Sequence, residues 1–386
     1  MTRYESAKEI YKGSYDIIVV GGGIGGVSAA ISAARKNKSV LLIEKSINLG
    51  GLATSGLISW YEPLCDGEGK QMVFGIAEEL IKLSIKYSFD NLPEKWGGSG
   101  CDKIRTRYAT FYSPTVFTLA LDEFVLENGV DIRFDTYATY PKMDGNHCTG
   151  VITESINGRE FFEAKIVIDA TGDASICHRA GIPTVVGENY VTYIAHFFDA
   201  EMIKEYEENK NMFKLRKWVN AGSDMFGEGH PESLRKLKGD TAEDITDYVI
   251  YGKKRMLERI KGKDRESFDI MTLPTMPQFR TIRRIQGAED FNAVPDLEFK
   301  NSIGDCGDFR PNGKGKHYQI PYGALYHPDF DNILTCGRII SAPEGDGWEV
   351  ARVIPTCALT GEAAGKAAAF AIENKVSVSC VNVKAM

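Results

Sequence analysis

Apolar residues run unbroken from Ile17 to Val20, behind Tyr15-Asp16, and stop at the glycine-rich stretch Gly21-Gly-Gly23-Ile-Gly-Gly26. An apolar run bounded by turn residues predicts a strand covered on both faces. The small-residue stretch Val27–Ala34 predicts a helix, and Val40–Ile43 a second strand that ends on Glu44. Val73, Ile76, Ala77, Leu80 and Ile81 fall on one helical face. Ser113-Pro114 reads as an N-cap and first helical residue; Phe117, Leu121 and Phe124 line one face of that helix, which stops near Asn128-Gly129. A strand follows around Val130–Phe134, then Thr136–Ala138. Two short strands joined by turns at Asp144-Gly-Asn146 and Asn157-Gly158 lead back to the apolar strand Ile166–Asp169. Between Asn189 and His317 the pattern changes. Ala200–Lys217 and Glu232–Lys263 are charged and helix-like, most simply solvated faces, whereas Asp269–Arg284 favours strands and turns. The prediction is an α/β chain: a three-layer Rossmann-like domain, parallel sheet plus β-meander, from residues 15–188 and 316–374. An inserted α+β domain spans 189–315, and residues 57–110 contribute to the insert's side.

Composition narrows the class. At 386 residues the chain is long enough for a large core, and its formal charge of −7 comes from acids and bases mixed along the chain. No basic stripe points to nucleic acid, no window approaches a membrane span, and the polar start Met1–Glu9 lacks a signal peptide's apolar core. A cytoplasmic protein is expected. The eight cysteines are scattered, the closest two being Cys336 and Cys357, with no C-x-x-C. That spacing argues for reduced thiols and against an iron–sulfur cluster, a zinc knuckle or a redox disulfide. Cys357 and Cys65 are the two of interest. The six histidines lack ligand spacing, so no metal is expected.

Chemistry enters at the first glycines. Gly21 permits a tight turn, Gly23 removes a Cβ that would block a pyrophosphate, and Gly26 lets the helix approach the strand. Ile24 and Gly25 would open the helix, whose free N–H groups and dipole suit phosphate. Glu44, twenty-one residues after Gly23, is placed to accept bonds from a ribose diol, with Lys45 beside it. Strand, turn, helix, strand and acid together predict a bound dinucleotide.

Three more segments recur in a fixed order. These are Asn48-Leu-Gly50-Gly51-Leu52-Ala53-Thr54, Asp169-Ala170-Thr171-Gly172-Asp173, and a C-terminal pair, Cys336-Gly337-Arg338 and Arg352-Val353-Ile354-Pro355-Thr-Cys with Gly361 and Gly365. From Tyr15 to Asn374 the chain resembles the FAD-dependent oxidoreductases of the glutathione-reductase-like class, and within it the bacterial family carrying "LGGxAT", "DATGD" and "AGR…RVxPTC…GxAAGxAAA". The resemblance is weakest between Asn189 and Asn312. It implies FAD, held non-covalently by the discontinuous domain, with the insert acting as substrate domain and lid. It places adenine-contacting backbone near Ala138 and points the helix that starts at Arg352–Pro355 toward the flavin's pyrimidine edge. Backbone at Gly50-Gly51 would approach phosphate or ring, although an ordinary loop has the same composition.

Substrate chemistry is less defined. Arg280, Arg283 and Arg284 form a cationic cluster that matches an "RxxRR" segment of the family. It would hold a carboxylate or phosphate, or pair with acids such as Glu289 and Asp290. His317, Tyr318 and Tyr322 match "Y-x-I-P-Y" and are candidates for proton transfer; each is equally suited to a structural hydrogen bond. His196 lies in an apolar run and reads as a satisfied core histidine. Trp348 stands where the family has a smaller residue, and Arg352 contacts FAD or substrate. No second glycine fingerprint follows a strand, since Gly97–Gly100 lacks both strand and helix. Electrons would therefore come from the substrate, a transiently docked NAD(P)H or a redox-partner protein. The expected activity is hydride transfer between flavin and a small, anionic or neutral, organic substrate. Alternatives are a fumarate-reductase-like reductase of an unsaturated acid, an NADPH-dependent aromatic monooxygenase, or an FAD-binding structural or sensing subunit. Oligomeric assembly is left open.

Overall fold

The computed structural model describes residues 8–88, 107–224 and 226–386; the start of the chain, Gly97–Gly100 and Cys101 lie outside the described residues. β1 (Ile10–Val20) leads into α1 (Ile24–Ala34) and β2 (Val40–Ile43). A two-strand ladder, β3 (Trp60–Tyr61) with β4 (Thr110–Phe111), flanks α2 (Ile76–Ile85) in sequence; α3 (Pro114–Glu127) and β5 (Asp131–Arg133) follow. The meander is β6 (Tyr137–Asp144), β7 (His147–Ser155) and β8 (Gly158–Asp169), then α4 (Ser175–Ala180) and β9 (Thr184–Val186). The insert holds β10 (Ile194–Asp199), α5 (Ala200–Asn209), β11 (Lys217–Asn220), α6 (Ala242–Lys261), β12 (Phe268–Thr272) and β13 (Arg283–Ile285). β14 (Ser302–Gly307), β15 (His317–Pro321), β16 (Ile333–Thr335), α7 (Asp346–Ala351) and α8 (Ile354–Asn374) complete the chain.

The main sheet runs β5-β2-β1-β8-β7-β6, with β16 also on β8. Along one edge β8 changes partner: Gly158–Glu163 pairs antiparallel with β7, whereas Val167–Asp169 pairs parallel with β16. Its other edge pairs with β1 throughout, which is why β1 starts at Ile10 rather than Tyr15. The meander strands are correspondingly longer than their turn spacing suggests. Alternate residues of β1 enter different cores, Ile17 and Val19 toward α1 and α8, Ile18 and Val20 toward Ile176, Ile182 and Ile285. Both faces are covered, so the strand reads as solid apolar sequence.

The insert forms a separate sheet, β11-β10-β12, while β13 reaches back to pair with β9. α6 begins only at Ala242 because Gly239 is left-handed (φ +74°) and Thr241 caps the helix by accepting the Asp244 N–H. Likewise α5 stops at a left-handed Lys210 and the chain turns into β11. α3 starts at Pro114, where Ser113 Oγ accepts the Val116 N–H. None of the described helices is long and apolar enough to cross a membrane.

α8 lies directly on α1. A Cβ on Gly361 would stand 2.1 Å from the Gly25 carbonyl oxygen, and one on Gly365 2.3 Å from that of Ala29. Ser32 Oγ donates to the Glu362 carbonyl at 2.8 Å across the same seam. Gly361→Val must push the helices apart and is expected to cost about 3 kcal/mol or more. Urea unfolding reads this as a lower midpoint; an unchanged midpoint would show that the seam tolerates separation.

Candidate functional site

The turn from β1 to α1 is fixed by contacts that leave no room for side chains. A Cβ on Gly21 (φ +104°) would sit 2.4 Å from the Ala170 oxygen, and one on Gly26 1.8 Å from the Gly21 oxygen. Gly23 is different: no atom lies within 4 Å of where its Cβ would be. Gly23 is also the N-cap of α1, and no side chain caps this helix end. An uncapped N-terminus facing open space presents free N–H donors to an anion. The second glycine loop leans on the first, with Gly50 N–H donating to Gly22 O at 2.8 Å and a Cβ on Gly51 falling 3.3 Å from the Gly23 Cα. Leu52 and Ala53 continue that loop as a short 3-10 turn, and Thr54 Oγ1 bonds to the Leu49 carbonyl.

Glu44 is nearly buried, accepting the Gly22 N–H at 2.6 Å and the Ser46 N–H at 2.8 Å through separate oxygens. Each oxygen retains a lone pair for a hydroxyl donor. Beside it opens a cleft of about 370 Å³ whose walls include Lys45, Ala138, Thr171 and Asp173. Burial opposes a charge on Asp173, but Lys45 and bonds from Ser175 and Thr171 outweigh it and hold its pKa below the usual carboxylate range. Asp169, at the end of β8, shows the reverse balance. Burial raises its pKa although Thr171 and the Cys177 N–H bond to it.

A second helix end meets the first. Gly25 has the Gly337 Cα and the Cys357 carbonyl 3.3 Å from its Cβ position. α8 begins beside it with an extended Val353, then Ile354 and Pro355, again without a side-chain cap. Arg338 is clamped between two carbonyls, Nε to Gly172 O and Nη1 to Phe279 O, both at 2.7 Å. Arg352 is paired with Glu349, yet its Nε is buried without a partner. Ser55 Oγ, following the glycine loop, is a second such atom. Two uncapped helix ends, an open glycine face and unused buried donors fit a dinucleotide carrying an anionic diphosphate.

The arginine cluster at 280–284 is divided. Arg283 pairs with Asp240 at 3.6 Å and donates to that residue's carbonyl at 2.9 Å. Arg284 stacks on Trp348 with 5.8 Å to the ring. Arg280 donates from Nη1 to the Asp224 carbonyl at 3.3 Å; burial first, then Arg352, lowers its pKa. The tyrosine hydroxyls are already committed: Tyr318 donates to Asp308 and Tyr322 to the Val378 carbonyl, each at 2.7 Å, and burial raises both pKa values. His317 is half-buried on β15 opposite Gly307. Burial pushes the Cys65 and Cys357 thiols up to about 12, so neither is an activated nucleophile.

His196 differs from the expectation of a satisfied core residue. It is buried on β10 with Nε2 3.4 Å from Ser59 Oγ, while Nδ1 has no partner. Ser59 in turn accepts the Trp218 indole N–H at 3.1 Å. These residues, with Arg216, come from distant segments, and no spacing in the sequence connects them.

A family model described as FAD dependent oxidoreductase matches residues 16–281 and 291–386. The digeranylgeranylglycerophospholipid reductase of Methanoculleus marisnigri is 29% identical over 199 residues, covering 45% of this chain and 43% of the relative. That of Methanocella arvoryzae is 30% identical over 195 residues, covering 48% and 46%. The chain thus spans about half the length of the curated relatives it matches. A geranylgeranyl bacteriochlorophyll reductase-like structure from Thermoplasma acidophilum shares the fold, with a TM-score of 0.50 at 15% identity, covering 94% of this chain and 79% of that one.

Burial, and then Arg216, push His196 down from 6.5 to about 4. The unfolded chain therefore binds this proton first, so stability is full above pH 6.5 and declines toward pH 4. His196→Asn is expected to flatten part of that decline in thermal melts at pH 7.5 and 5. An identical drop in both proteins would contradict the assignment.

Proposed function

Because the chain belongs to the FAD dependent oxidoreductase family, we propose that it transfers a hydride between non-covalently bound FAD and a small organic substrate, working as a reductase. The observation that carries this reading is the open face of Gly23, set between Glu44 and the meeting N-termini of α1 and α8. Bound there, FAD would supply a ring able to accept or donate a hydride. The chain's own residues bind and orient. The N–H groups of α1 hold the diphosphate, Glu44 accepts the ribose hydroxyls, and Lys45, Ala138, Thr171 and Asp173 enclose the adenosine half. Backbone at Gly50–Thr54 lines the path to the ring. At the far end, the first turn of α8 and the Arg352 guanidinium favour negative charge developing there. Arg338 keeps Gly172 and the insert in register over the site.

The reductive direction is supported by the names of the curated relatives, which are reductases. Electrons then arrive from a docked nicotinamide or a redox-partner protein. We place the protein in the cytoplasm, a reading supported by the seven described cysteines, all free thiols.

Gly23→Val tests the carrying observation. The new Cβ meets no protein atom beyond its chain neighbours, so the apoprotein should melt close to wild type. The valine should nevertheless fill the diphosphate's place and weaken FAD retention at least tenfold, read by flavin fluorescence after gel filtration. Undiminished retention would remove the basis for this placement. Turnover is tested anaerobically: reduced protein should be reoxidised by an unsaturated organic acceptor. Failure across a broad panel would favour a non-catalytic FAD-binding subunit.

A further inference from the structure

A cavity of about 630 Å³ lies where the insert meets the β3–β4 ladder, away from the cleft beside Glu44. Its walls are aromatic. Phe111 stacks on Trp60 at 4.0 Å and meets Trp218 edge-on at 5.8 Å and 77°. Tyr112 forms another wall and is fixed through its hydroxyl, which bonds to the Ala53 and Ile58 carbonyls at 2.9 Å each. Ser59 lies at the base, holding the Trp218 indole.

Into this apolar space come cations without matching acids. Arg216 is half-buried, its Nη1 is buried without a hydrogen bond, and it has no ion-pair partner among the described residues. Burial alone lowers its pKa. Lys214 lines the same cavity, while neighbouring Lys217 is spoken for by Glu205 at 3.0 Å. A guanidinium whose buried N–H is idle is costly unless an anion completes it. Flat rings beside the unpaired Arg216 and Lys214 select a ligand with an apolar body and an anionic end.

The cavity is not isolated from the cofactor loop. Tyr112 binds the carbonyl of Ala53, so the 50–59 segment, whose Ser59 lines the cavity, also leans on the Gly23 turn through Gly50. Resting on the proposed flavin chemistry for its role in turnover, we propose that this cavity is the substrate site and takes an organic anion with a planar apolar body. Arg216 binds the carboxylate or phosphate end, while Phe111, Tyr112 and Trp218 hold the apolar portion against the loop.

The test is a calorimetric titration of flavin-loaded protein with cinnamate, phenyl phosphate and the uncharged cinnamamide. At least one anion should bind ten times or more tightly than the amide, and the better anion identifies the head group. Arg216→Gln should remove that tenfold preference, and Arg216→Lys should restore part of it. Because the guanidinium lacks a partner, Arg216→Gln should melt at or above the wild-type temperature. Equal binding of anion and amide, or an anion preference that survives Arg216→Gln, would overturn the proposal. The titration reads binding and not turnover, so a failed anaerobic screen would sink the redox reading and leave the anion-binding site standing.

Discussion

The rest of the structure depends on how closely α8 approaches α1. Helix axes that normally stand 8–10 Å apart can draw nearer only where one side presents hydrogen in place of a side chain. Gly361 and Gly365 present it to the Gly25 and Ala29 carbonyls, and Ser32 bonds across the remaining gap. Two sequence-distant helices consequently bring their amino ends to one place. Gly337, squeezed beside Gly25, completes the junction. The positive ends of both dipoles then act on the same region, a field no single surface helix supplies.

Around that junction acids and bases interleave. Glu44 and Asp173 are held by backbone N–H groups, a lysine and hydroxyls. Arg280, Arg338 and Arg352 gather near Tyr248 and Glu349, and the Asp173 charge acts on Arg338 as well. Several arginines and tyrosines of equal promise by composition serve architecture. Arg283 is bound to Asp240, and the Tyr318 and Tyr322 hydroxyls are engaged.

What was legible in the sequence was what is local. The strand, glycine turn, helix, strand and acid from Tyr15 to Glu44 are contiguous, and each residue's steric role follows from its neighbours. Ser113-Pro114 announced α3 for the same reason. The start of β1 at Ile10 was hidden because its partner is β8, far along the chain. The fate of the 280–284 arginines was hidden because it depends on which acid or ring each meets after folding. His196 looked like ordinary core, since apolar flanks reveal burial and say nothing of whether a ring nitrogen finds a partner. The aromatic cavity combines residues from β4, β11 and the 50–59 segment, and three remote stretches leave no periodic trace.

Arg338 has a mechanical meaning beyond its charge. Its guanidinium spans from Gly172, just past the central sheet, to Phe279 in the insert, while its own carbonyl receives the Trp348 indole proton. With three anchor points in three parts of the chain, the side chain acts as a strut. A shift of the insert against the sheet must stretch or break one of these three bonds.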